Sequence, residues 1–284
     1  MFFTFDSKII IIEMINLKNA VYIGSQNRKS LVDLVIPTNF NGNLLVFIHG
    51  FMGFKDWGAW NLMQNYFTDL GYGFCKFNLS HNGGTVENGI DFPDLEAFSN
   101  DTYSKQKQDV KLVLDWIETQ VDSLPKIHLI GHSRGGGIAL LNLPDERVSS
   151  VITLAGICSI ARRFRDDEVL AEWIKDGVRY TENQRTHQKM PHNIIQYEDF
   201  AANKEALDIE KVCRNNSKPV IIIHGDSDTS IFMEEAEILA KCTNTELKII
   251  AGADHVFGAS HPWKSDELPV LLKEICEVVL VFLK

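Results

Sequence analysis

The chain has 284 residues, 45% of them apolar, enough for one large α/β domain with a sizeable core. Its 28 basic and 38 acidic residues leave a net charge of −10, which argues against nucleic-acid phosphates or an anionic membrane as partners. The five cysteines (Cys75, Cys158, Cys213, Cys242 and Cys276) are odd in number and widely spaced with no C-x-x-C, so reduced core thiols are expected rather than a disulfide framework or a zinc knuckle.

The leading residues MFFTFDSKIIIIEMINLKN lack a basic start, carry Asp6, Lys8 and Glu13 among the apolar positions, and show no small-residue cleavage site. A secretory signal is therefore not expected, a soluble cytoplasmic protein is, and Met14 offers an alternative start. Residues 31–36 and 44–48 read as strands, the second running into His49-Gly50-Phe51-Met52-Gly53. A helix follows over residues 57–70, then a strand over 74–77. Residues 80–101 form a polar, glycine-bearing loop, too long for a plain connection and so marked as functional. Val110, Val113, Leu114, Ile117 and Val121 keep helical spacing. Ile127, Leu129 and Ile130 read as a buried strand, and the apolar run from Ile138 to Leu141 as the helix after it. Another strand covers 151–155.

From about residue 157 to 212 the rhythm breaks into a charged segment with scattered aromatics (Phe164, Trp173, Tyr180, Tyr197, Phe200), read as a mostly helical insertion without a buried strand. The sheet pattern resumes with a strand at 220–223, a helix at 234–241, a strand at 247–250 and a final helix over 266–282. This alternation predicts a mostly parallel sheet with helices on both faces. The last helix is too short to span a bilayer.

Between the strand at 127–130 and its helix lies Gly131-His132-Ser133-Arg134-Gly135, a G-x-S-x-G pattern. That pattern marks a strand-to-helix turn so tight that its serine is held strained with Oγ exposed above the sheet. Three glycines, Gly135 to Gly137, open the helix where each costs about 1 kcal/mol relative to alanine, which points to close packing of helix on strand. Neither a P-loop nor a dinucleotide fingerprint can be written onto these residues, and no cofactor is expected.

A serine hydroxyl needs a base to take its proton and a carboxylate to orient that base. Ser133, Asp228 and His255 occur in the chain order Ser, Asp, His, each just past the C-terminal end of a predicted strand, where an open parallel sheet places its ligands. Asp226 lies two residues from Asp228 and competes for the histidine, whereas Asp254, adjoining His255, reads as a turn former. The oxyanion donors expected are the backbone N–H groups of Phe51 and Arg134. The Arg134 side chain is free either to pair with the insertion or to contact an anionic substrate. His49 is read as shaping the oxyanion loop, His132 as packing beside the elbow, and His81, His187 and His192 as polar loop or lid residues rather than ligands. Asp226, Asp228, Asp254, His255 and His261 gather in the C-terminal loops, but without H-E-x-x-H or comparable spacing, so no metal is expected.

The motifs HGFMG (49–53), GHSRGG (131–136), HGDSD (224–228) and GADH (252–255) make the chain resemble α/β-hydrolase superfamily serine hydrolases, similar to cinnamoyl and feruloyl esterases and serine-aminopeptidase-like hydrolases. The resemblance implies an α/β-hydrolase fold, with residues 1–156 and 213–284 as core and 157–212 as a helical lid inserted after the sixth strand. It also favours Asp228 over Asp226 through the spacing His-Gly-x-x-Asp. The chain departs from many relatives at residues 78–84, NLSHNGG, and at Thr229-Ser230-Ile231 after the acid. The function this implies is cleavage of small or medium carboxylic esters through an acyl-enzyme. Small-peptide hydrolysis or acyl transfer on the same triad, a non-catalytic small-ligand binder and a homo-oligomer remain as alternatives.

Overall fold

A computed structural model describes residues 14–284. The reading of the leading residues as free of a signal falls on residues 1–13, outside the described residues. The chain begins with β1 (Ile15–Ile23), β2 (Lys29–Ile36), β3 (Asn43–Ile48), α1 (Trp60–Asp69) and β4 (Gly73–Phe77). Then follow α2 (Leu95–Ser99), α3 (Tyr103–Glu118), β5 (Lys126–His132), α4 (Arg134–Leu141) and β6 (Val148–Leu154). The intervening segment holds α5 (Asp167–Asp176), β7 (Val178–Glu182), β8 (Lys189–Asn193), α6 (Ile195–Ala202) and α7 (Ile209–Arg214). The chain ends with β9 (Val220–Gly225), α8 (Met233–Thr243), β10 (Leu247–Ile250) and α9 (Val270–Phe282).

Among the described residues, eight strands form one sheet in the order β1-β2-β4-β3-β5-β6-β9-β10, parallel from β4 through β10 and antiparallel on either side of β2. Period-two alternation splits the core cleanly. In β3, Leu44, Val46 and Ile48 join the core beneath α3, α4, α7 and α8, while Leu45 and Phe47 join the opposite core beneath α1 and α9. Both faces being covered, the central strands are continuous apolar runs, which is why they were legible in sequence.

The insertion after β6 is mostly helical, as expected, with one addition. It carries helices but also the antiparallel hairpin β7–β8, whose short, charged strands VRYTE and KMPHN hide the two-residue alternation. Two further elements were not foreseen: β1, an edge strand of mixed polarity, and the single turn of α2 inside the long 80–101 loop, capped by Asp94 accepting from the Ala97 N–H. The last helix starts at Val270, after Pro269, rather than at 266, and α3 stops at Glu118, short of Val121. All five cysteines are free, four of them buried. Among the described residues no helix is long and apolar enough to cross a membrane.

A buried ion network fixes the loop after β3. Asp33 on β2 lies opposite Lys76 on β4 in register. The Lys76 ammonium reaches Asp33 at 2.5 Å and also pairs with Asp56, and Lys55 reaches Asp33 at 2.9 Å and Asp56 at 2.6 Å. Two positive and two negative groups thus neutralise one another where Lys55 and Lys76 are almost wholly buried. The Lys55 N–H also donates to Asn78 Oδ1 at 2.7 Å, so residues 49–57 are tied to the sheet at their far end.

Candidate active site

Ser133 sits between β5 and α4 with φ +56° and ψ −120°, a conformation L-residues rarely adopt. The turn is so close that a Cβ on Gly131 would lie 2.2 Å from the Gly135 carbonyl oxygen, and one on Gly135 would lie 2.2 Å from the Ile48 carbonyl oxygen. The glycines therefore answer a contact between β5, α4 and β3. The Ser133 N–H donates to the Leu154 carbonyl at 2.8 Å, pinning the turn to the end of β6. Met52, Ala155 and Phe257, all in loops at this end of the sheet, also have positive φ.

The structure brings Ser133, His255 and Asp228 together. Ser133 Oγ lies 3.0 Å from His255 Nε2, and His255 Nδ1 lies 2.7 Å from Asp228 Oδ2. The other Asp228 oxygen accepts from the Ser230 and Ile231 N–H groups at 2.7 and 3.0 Å. Burial alone would raise the Asp228 pKa, but the His255 hydrogen bond and these backbone donors outweigh it and hold the carboxylate below its ordinary range. With its carboxylate ionised, Asp228 orients Nδ1–H and leaves Nε2 facing the serine. Asp226 points elsewhere, its Oδ1 accepting from the Gly252 N–H at 2.7 Å. Asp254 Oδ1 accepts from the Val256 and Gly258 N–H groups and makes the turn after His255. His261 Nδ1 accepts from the Gly58 N–H, so these loop residues do not converge on one point.

Arg134 follows Ser133 at the start of α4 and Phe51 lines the same cavity as Ser133, and among the described residues neither backbone N–H meets a protein acceptor. His49 braces this corner: its Nδ1–H donates to the Gly50 carbonyl at 2.8 Å and its Nε2 accepts from the Leu79 N–H at 3.1 Å. That pattern requires a neutral ring, and burial holds its pKa down to about 4. His132 donates from Nε2 to the His255 carbonyl at 2.8 Å and packs against Trp60 and Phe257, with its pKa lowered by burial to about 3. It holds the main chain of the His255 loop. A cavity of about 180 Å³ opens beside Ser133 and His255, walled by Phe51, Met52, Trp57, Trp60 and Val256.

His192 packs against Phe51, a residue that lines this cavity, which the sequence did not foretell. It comes from β8, is 2% exposed, and packs tilted against Phe51 with centroids 5.5 Å apart. Nothing in the sequence around it marked the unforeseen hairpin that carries it inward.

The family model described as "Alpha/beta hydrolase family" matches residues 45–264. No match was found among curated proteins. Est1E from Butyrivibrio proteoclasticus has a similar structure, with a TM-score of 0.69 at 20% identity over 93% of this chain and 99% of that one. A protein of Agrobacterium vitis S4 described as a hydrolase gives a TM-score of 0.71 at 18% identity over 96% and 100%. The esterase Pf2001 of Pyrococcus furiosus gives 0.60 at 16% identity over 95% and 89%. At these identities the structural likeness speaks for the fold, and the family match extends from β3 past His255: the chain belongs to the alpha/beta hydrolase family.

Proposed function

We propose that the protein is a serine hydrolase that cleaves carboxylic esters through an acyl-enzyme. The observation that carries this reading is the unbroken hydrogen-bonded line from Ser133 Oγ through His255 to Asp228, at 3.0 and 2.7 Å, built on a serine held at positive φ. His255 Nε2 takes the Ser133 proton as Oγ attacks the ester carbonyl, and Asp228 stabilises the imidazolium. The oxyanion is held by the N–H groups of Phe51 and Arg134, each contributing about 3–4 kcal/mol to the barrier reduction. His255 then protonates the departing alcohol and activates the water that releases the acid.

The segment 157–212 acts as a lid over a body formed by the described remainder of the chain. An apolar cavity of about 150 Å³ is enough to hold benzene, so the 180 Å³ space beside Ser133 suits one aromatic ring or a short acyl chain. The structural relative Est1E has been seen with ferulic acid bound, which places hydroxycinnamates on the list of esters to try.

The test is hydrolysis of p-nitrophenyl acyl esters of graded length and of methyl hydroxycinnamates by the wild type and by Ser133→Ala. The expected result is turnover of short or single-ring acyl groups, reduced about 10⁴-fold or more in the variant. Turnover confined to aminoacyl amides or to acyl transfer onto added alcohols would replace the ester assignment with those reactions on the same serine. Folded protein inert toward all of them would overturn the enzyme reading.

A further inference from the structure

In an antiparallel hairpin, residues paired across the strands project to the same side. Arg179 on β7 is paired with His192 on β8, and Thr181 with Met190. Met190 is buried with Phe54, Phe92 and Phe98, so this is the side turned toward the body, while Tyr180 between them is exposed. The hairpin therefore presents Arg179 and His192 together, inward. The His192 ring packs against both Phe51 and Phe98, and neither of its buried ring nitrogens has a hydrogen-bond partner. The Arg179 guanidinium lies over the Trp173 ring, 3.9 Å from its centroid, with a buried Nε that is also unpartnered. Trp173 in turn donates its indole N–H to the His192 carbonyl at 2.8 Å.

From the body side, the Arg134 guanidinium is held between the faces of Phe51, 4.2 Å away, and Tyr103, 5.0 Å away. Its one carboxylate neighbour among the described residues is Asp101, at 4.0 Å. Asp101 neutralises it incompletely, because burial raises that carboxyl's pKa to about 7. Arg134 and Arg179 both face His192 closely enough to help burial lower its pKa to about 3. Other cations nearby are already matched: Arg163 pairs with Glu235, and Arg162 with Glu234 at 2.8 Å.

In a chain whose net charge is −10, Arg134 and His192 thus both lie against Phe51, a residue that lines the cavity holding Ser133, and Arg179 is paired with His192 across the hairpin. Guanidinium forks match the paired oxygens of a carboxylate, and a neutral imidazole adds one more N–H donor. We propose that Arg134, Arg179 and His192 form a carboxylate-binding subsite on the lid side of Phe51, so that the ester cleaved at Ser133 carries an anionic group. The proposal rests on the hydrolase reading and narrows its substrate to half-esters of dicarboxylic acids or esters of carboxylate-bearing alcohols.

The experiment compares matched charged and neutral esters. Ethyl hydrogen adipate is set against ethyl hexanoate for a charge on the acyl side, and 4-acetoxybenzoate against p-tolyl acetate for a charge on the alcohol side. Wild type should favour the charged member of at least one pair by about tenfold or more in kcat/KM, the range expected of a charge-assisted hydrogen bond. Arg179→Met and Arg134→Met should each lower that ratio about tenfold, mainly through KM, with Arg179→Lys recovering part of it. Melting curves by circular dichroism identify any variant whose fold is lost. Ser133-dependent cleavage with equal kcat/KM within both pairs, or a ratio unmoved in both Met variants, overturns the subsite while leaving the hydrolase standing. If no ester is cleaved, calorimetric titration of Ser133→Ala with ethyl hydrogen adipate and 4-acetoxybenzoate decides. Binding lost on adding Arg179→Met upholds the subsite, and no binding overturns it.

Discussion

Two aspartates stand two residues apart in the loop after β9, and the fold uses them for different work. Asp228 meets His255 Nδ1 at 2.7 Å, whereas Asp226 holds the Gly252 N–H and so stitches the β9 loop to the β10 loop. Asp228→Asn should lower kcat by roughly 10³–10⁴ by presenting the wrong imidazole tautomer, while Asp226→Asn should change it less than about threefold; steady-state kinetics on the best ester check both. G-x-S-x-G and chain order single out Ser133 and His255 in the sequence, and the structure sets Oγ and Nε2 3.0 Å apart. The choice between the aspartates rested on resemblance alone, since which carboxylate faces the ring depends on a turn closed by the Ser230 and Ile231 N–H groups. His192 was illegible for another reason: its meaning comes from Phe51 and Arg134, far away in the chain.

At the scale of elements, the site is held by contacts that admit little change. Gly135→Ala places a methyl 2.2 Å from the Ile48 carbonyl oxygen, a backbone atom that cannot swing away. A loss of about 3 kcal/mol or more is expected, at the upper end of overpacking costs, read as a fall in the urea midpoint with activity lost in parallel. Lys76→Met removes one cation from the buried Asp33, Asp56, Lys55 network and leaves an uncompensated negative charge. Breaking such a network costs about 3–5 kcal/mol, measurable by the same denaturation. The network belongs to β2, β4 and the loop after β3, so residual folded protein should also show a reduced kcat. The elements most visible in sequence were those buried on both faces, β3, β5, β6 and β9, whose apolar runs have one reading. Edge strand β1 and the hairpin β7–β8 are half-exposed and polar, and their pairing is decided by partners rather than by their own residues.

Across the whole molecule, buried histidines set the acid limit of stability. Burial is the leading cause that holds His49, His81 and His128 down to about 4 and His132 and His192 down to about 3. Free histidine titrates near 6.5. As pH falls below about 6.5 the unfolded chain gains protons that the native one refuses, so stability is complete above that value and is lost progressively toward pH 3. Asp101, raised to about 7 chiefly by burial, and Asp109, also raised by burial, act in the opposite sense, since the native state keeps protons that the unfolded state releases, but they are two groups against five. Urea unfolding between pH 8 and pH 4.5 should show stability falling with pH from about 6.5 downward. His128→Gln, at the far end of β5 from Ser133, should flatten that slope by up to about 1.4 kcal/mol per pH unit. A stability flat down to pH 4.5 would mean that these rings are protonated in the fold.

The central claim is that Ser133 is a nucleophile activated by His255. Its most direct measurement is reaction with a fluorophosphonate followed by peptide mass spectrometry, in the wild type, Ser133→Ala and His255→Ala. Stoichiometric modification of Ser133 is expected in the wild type, none in Ser133→Ala, and labelling slowed by several orders of magnitude in His255→Ala. Folded wild-type protein that stays unlabelled, or a label carried on another residue, would contradict it.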